Sequence, residues 1–145
     1  MDLAELLDRT GLDVLDHLER QATIPVLDGP QAQGDLIVLP LSMLTPVDLL
    51  IGARWRPVPL EGVELVRGAA GNNPHTLVAE SGACQWTTAV RDPLGLGIVA
   101  FENTAPAYLV HPEHGGSGVA AGCWLVRRQQ ERGVGARKGN MLIAD

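Results

Sequence analysis

The stretch GIVAFENTAPAYLVHPEHGG, residues 97–116, decides how this chain is read. It contains two apolar runs, Gly97–Phe101 and Ala107–His111, each too short for a stable helix. Asn103-Thr104-Ala105-Pro106 closes the first run. Pro112, Gly115, Gly116 and Gly118 punctuate the chain after the second. Short apolar runs bounded by Pro, Gly and Asn are the signature of strands joined by turns.

Working outward, the same alternation recurs. Leu36–Leu39, Val63–Val66, His75–Ala79, Cys84–Val90 and Gly122–Arg127 are further runs. Gly71-Asn72-Asn73-Pro74 and Asp92-Pro93-Leu94-Gly95 separate some of them. The pattern predicts a mainly β domain over residues 33–132, a small barrel or sandwich of about seven short strands. Alternation puts Trp124 and Val126 on one face of the last run and Cys123, Leu125 and Arg127 on the other. Residues 24–34, with Pro25, Asp28-Gly29-Pro30 and Gly34, read as a loop. Leu41–Leu50 reads as a short helix starting at Thr45-Pro46.

The two ends differ from this body. Residues 1–22 form an N-terminal helical segment, with Leu3, Leu6, Leu7, Val14, Leu15 and Leu18 at three- and four-residue steps. Thr10-Gly11 interrupts it, so it is one kinked helix or two short ones. Residues 133–145 are rich in Gly and Arg and read as a mobile tail, with Met141-Leu142-Ile143 able to dock as a last strand.

Composition narrows the function classes. The 145 residues are 46% hydrophobic but only 3% aromatic, so the core must be aliphatic. Seventeen Gly and ten Pro argue against a helical bundle. The net charge of −6 weighs against general nucleic-acid binding, which needs a basic face. Residues 127–145 nevertheless carry +3, from five cations against Glu131 and Asp145, which leaves −9 on the rest. The acidic N-terminus does not read as a secretory leader, and no apolar stretch reaches the length of a membrane span. A cytoplasmic protein is expected, with Cys84 and Cys123 reduced and buried.

The histidines are the main chemical candidates. His111 and His114 flank Pro112-Glu113, and His75 opens another strand. Converging in space, these three with Glu113 would suit a divalent transition metal such as zinc, iron, manganese or nickel. That arrangement is similar to a cupin's metal centre, although the closely spaced HxH of cupins is absent. The plainer reading is a turn that contains histidines. Acid/base catalysis by His111 or His114 with Glu113 lacks a nucleophile in a recognisable context, with no GxSxG, HExxH or P-loop. Arg127, Arg128 and Arg132 form a basic ending that either binds an acidic partner or phosphate or pairs with the chain's own acids.

Ala107–Gly115 followed by Val119–Glu131 resembles a group of small uncharacterised bacterial and phage proteins. Their ending has the pattern H-x-E-H-G…G-x-(Y/W)-x-V-x-x-Q-x-E, with Trp124 here where Tyr is usual. They also open with a Gln-Gly-Asp turn, which Gln33-Gly34-Asp35 resembles, and His75 corresponds to a His in a mid-chain loop. The resemblance carries no activity. It implies that HPEHG belongs to a recurring pattern.

The sequence reading is therefore a non-enzymatic interaction or assembly module that acts through a protein partner or self-association. Its recognition surface would be the HPEHG turn, the 71–75 loop and the basic ending. The alternative is a metal-binding β-barrel, with or without enzymatic activity, using His75, His111, His114 and a carboxylate, and a third reading is a minor nucleic-acid or phosphate binder acting through Arg127, Arg128 and Arg132.

Overall fold

In the computed structural model, the described residues are 1–12, 23–44, 47–66, 74–131 and 141–142. The first sheet runs in the order β1 (Val26–Leu27), β12 (Gly115–Val119), β11 (Ala107–His111), β7 (His75–Ala79) and β6 (Val63–Val66). The second runs β2 (Gln31–Gln33), β3 (Leu36–Pro40), β13 (Gly122–Arg128), β10 (Gly97–Asn103), β8 (Cys84–Thr87) and β5 (Arg56–Pro57). Two small ribbons complete the described strands: β4 (Asp48–Leu49) with β9 (Val90–Arg91), and β14 (Gln130–Glu131) with β15 (Met141–Leu142).

The architecture is an open sandwich, not a closed barrel. Leu77, Ala79, Leu109 and Val119 of the first sheet meet Leu36, Val38, Val99, Phe101, Trp124 and Val126 of the second in one dry core. The expected facing of β13 holds, since Trp124 and Val126 enter that core and Cys123 is exposed. The expectation that both thiols are buried is corrected at Cys123. Cys84 is inside, where burial pushes its thiol up to about 12.

The first sheet is covered on both faces, which is why every residue of β7 and β11 is buried. Its outer face, with Val78, Tyr108 and Val110, packs against Leu3, Leu6 and Ile24. Leu3 and Leu6 belong to the helix α1, Leu3–Thr10. Asp2 caps its start by accepting from the Glu5 N–H at 2.9 Å. Gly11 ends it in the left-handed conformation at φ 70°, donating to the Leu7 carbonyl. The interruption expected at Thr10-Gly11 is thus a helix end. The second half of the predicted helical segment, residues 13–22, lies outside the described residues.

Each of the seven expected runs holds a strand, although Cys84–Val90 is split into β8 and the start of β9, and the structure adds others. The most consequential addition is β12, whose sequence GGSGV had read as part of a turn. Its glycines are there for close approach. A Cβ on Gly118 would lie 2.6 Å from the Pro25 carbonyl of the chain leading into β1, which pairs with β12 in parallel. A Cβ on Gly116 would lie 2.5 Å from Ile24 Cδ1 and 3.2 Å from Leu6 Cδ1. Residues 24–34 correspondingly hold β1 and β2 in place of the expected loop. Of the helix expected over Leu41–Leu50, the described residues hold one 3-10 turn, Leu41–Met43, and the extended β4; its expected start at Thr45-Pro46 lies outside the described residues. Pairing of Asp48 and Leu49 with Arg91 and Val90 requires that extension. Of the expected tail, Met141–Leu142 pairs with Gln130–Glu131, and residues 133–140 and 143–145 lie outside the described residues.

Candidate functional site

Gln33, Asp35, His75, His111 and Ser117 come together where β2, β3, β7, β11 and β12 meet. The β2–β3 hairpin turns on Gly34, at φ 57°, and brings Gln33 and Asp35 inward, each only 4% exposed. His75 starts β7 between them and is 1% exposed. Its Nδ1 lies 3.0 Å from Gln33 Oε1 and its Nε2 lies 3.1 Å from Asp35 Oδ1.

The hydrogen-bond inventory assigns the protons. Gln33 Nε2 donates to the Leu109 carbonyl and to Ser117 Oγ, both at 3.0 Å. That fixes the amide orientation, so Gln33 Oε1 is the acceptor and His75 Nδ1 the donor. His75 Nε2 meets Asp35 Oδ1 on the other side of the ring, so both ring nitrogens are engaged by the β2–β3 hairpin. Buried polar groups persist when hydrogen-bonded in this way.

His111 sits at the end of β11 and is also 1% exposed. Its Nδ1 accepts the Glu113 backbone N–H at 3.0 Å, which leaves the proton on Nε2 and makes the ring neutral. That bond closes the HPEHG turn on the side chain that begins it. The His111 ring lies 4.4 Å from the His75 ring and 4.6 Å from the His114 ring, centroid to centroid. The three imidazoles therefore form a stack running from the interior at His75 to the exposed His114. Gln129 clamps the neighbouring hairpin. Its backbone N–H donates to the Asp35 carbonyl, and its side-chain amide donates to the carbonyls of Gly34 and Leu36.

The three histidines singled out in the sequence are thus brought together, and Glu113 joins them through its backbone with its residue exposed to solvent. Among the described residues, no group of three or more His, Cys, Asp or Glu side chains is placed to hold a metal ion. The rings are tilted against one another, by 39° between His75 and His111 and 34° between His111 and His114.

The arginines lie apart. Arg127 makes a two-pronged pair with Asp92, Nε to Oδ2 and a terminal nitrogen to Oδ1, each at 2.9 Å. Burial alone would raise the Asp92 carboxyl, but the Arg127 fork and the backbone N–H groups of Leu94 and Gly97 more than offset it and hold it below its ordinary value. Arg128 is half-buried on the same strand, and Arg132 lies outside the described residues. Gln33, Asp35, Ser117 and Gln129 had not been singled out for the site. The signal in the sequence was that Gln33-Gly34-Asp35 and the Gln of the ending entered the same resemblance as HPEHG.

Comparison with known proteins returns one family. Residues 32–129 match a family described as Domain of unknown function (DUF8820). No curated protein and no solved structure matches the chain.

Proposed function

We propose, on the premise that the chain belongs to this domain family of unknown function, that it is a binding module without catalytic activity that presents the HPEHG turn to a partner macromolecule. The observation that carries this is the internal engagement of the ring nitrogens. Both nitrogens of His75 and Nδ1 of His111 are hydrogen-bonded within the protein. They support the turn from beneath, and what reaches solvent is Glu113 and His114. A short exposed turn on a hydrogen-bonded base is how binding loops keep one shape at low entropic cost.

The partner is another protein or a second copy of this chain. A photo-crosslinking residue at position 114 tests this in cells of the source. A discrete adduct, lost when Glu113 is changed to Ala and unaltered melting confirms the fold, is the expected result. An absence of adducts, or an adduct indifferent to Glu113→Ala, contradicts the reading.

The alternative proposal is a metal site at His75, His111 and His114, favoured by the proximity of the three rings. It requires the stack to open so that nitrogens now bonded internally turn toward one ion. Elemental analysis decides it. About one equivalent of a transition metal per chain, lost in His111→Ala, would replace the binding-module reading.

A further inference from the structure

We propose a second site, unrelated to the histidines: the hollow between Arg54, Arg56 and Trp86 binds a nucleoside phosphate. The hollow has a volume of about 300 Å³ and is lined also by Gly52, Thr87 and Thr88. That volume lies at the small end of ligand pockets and suits one nucleotide. It opens at the edge of the second sheet, where Arg56 of β5 stands directly opposite Trp86 of β8.

Three features point to this ligand class. The first is charge. The chain is acidic overall, at −6, yet among the described residues neither Arg54 nor Arg56 has a carboxylate partner. Arg9, Arg91 and Arg127 are each paired, with Glu80, Asp48 and Asp92. The second is the shape of the cation. A guanidinium offers a planar fork that matches phosphate oxygens two at a time. The Arg56 guanidinium carbon lies over the Trp86 ring, 5.9 Å from its centroid, so the fork is held on the indole before any ligand arrives. The third is the platform this makes. Trp86 packs against the core while staying partly exposed, and with the Arg56 guanidinium over it gives a base a planar surface to stack on. The exposed Thr88 hydroxyl and the local backbone supply polar groups for a sugar. A flat ring and an anion carried by one small molecule satisfy all three features together.

Isothermal titration with AMP, GMP, CMP and UMP in turn, beside inorganic phosphate, tests the site. The expected result is saturable binding of at least one nucleotide, tighter than phosphate alone and weaker as salt rises. Arg54→Ala with Arg56→Ala should weaken it roughly ten- to hundredfold with unchanged melting, since both residues are exposed. Trp86→Phe, which keeps an aromatic in the core, should cost less than the double arginine change. A 5′-phosphorylated tetranucleotide distinguishes the sources. Binding at least as tight as the free nucleotide assigns the site to a strand end, and weaker binding assigns it to the free nucleotide. No binding of any nucleotide at millimolar concentration, binding untouched by the arginine changes, or phosphate binding as tightly as the nucleotides would overturn the proposal.

Discussion

The histidine end and the arginine edge of this sandwich handle polar groups in opposite ways. At the histidine end, Gln33, Asp35 and His75 are buried and bonded to one another, and His111 closes its own turn. At the edge, Arg54 and Arg56 face solvent without a carboxylate among the described residues. The first region resembles a finished piece of interior with only its cap, Glu113 and His114, on show. The second keeps its hydrogen-bonding capacity for something outside the chain. Similar residue types can therefore serve support or recognition, and the deciding quantity is how many of their donors and acceptors the fold already uses.

The largest expected effect tests the support role. His75→Ala leaves the buried Asp35 carboxyl and Gln33 Oε1 without the imidazole that joins them. Each buried polar group left unsatisfied costs about 1–3 kcal/mol, so denaturant unfolding should show a large fall in midpoint. A fall no greater than that of a surface substitution would mean that the stack does not hold this end together.

The next effect concerns the strand beneath the turn. Gly118→Ala forces a methyl group against the Pro25 carbonyl at 2.6 Å, which backbone must move to relieve. Overpacking of this kind costs about 1–3 kcal/mol. Thermal melting checks it, and an unchanged melting temperature would show that β1 yields easily.

Asp92 and Arg127 supply a third comparison, since this pair uses a permanent cation where Asp35 has a histidine. The folded Asp92 carboxyl is held below its ordinary value, so its contribution is present above the unfolded value and is lost as pH falls through the folded one. Arg127→Leu should therefore lower the melting temperature by a constant amount above about pH 5, and the difference from the parent should shrink below about pH 4. A difference that grows as pH falls would reverse the sign and refute the account of this pair.

The smallest effects are expected where the residues are exposed. Glu113→Ala with His114→Ala, and separately Arg54→Ala with Arg56→Ala, should each change stability by no more than about 0.5 kcal/mol per site. A large loss in either double variant, measured by chemical denaturation, would move that region from display to support.

Much of the fold was legible because β strands betray themselves by apolar runs between turn residues. Ala107–His111 is such a run, and it lies at the centre of the first sheet. Its neighbour β12 was hidden because Gly116 and Gly118 were selected for close approach, and glycine in a sequence is read first as a turn. The 3-10 turn at Leu41–Met43 and the extended β4 were hidden because tertiary pairing with β9 overrides local preference there. Of the site, the histidines were visible as residue types, but their stacking depends on the register that pairs β11 with β7 and β12. Gln33 and Asp35 lie about forty residues from His75 in sequence, and only the fold joins them. The basic ending was legible as charge, yet Arg127 is bound to Asp92 for a reason that lies thirty-five residues away.

The most direct test of the central claim is the protonation of the ring nitrogens, read by nitrogen-15 NMR of the histidine side chains in metal-free protein at neutral pH. The account predicts a proton on Nδ1 of His75 and on Nε2 alone of His111, with neither pattern changed by added zinc. A bare Nδ1 on His75, a proton on Nδ1 of His111, or a shift of all three rings on zinc addition would contradict it.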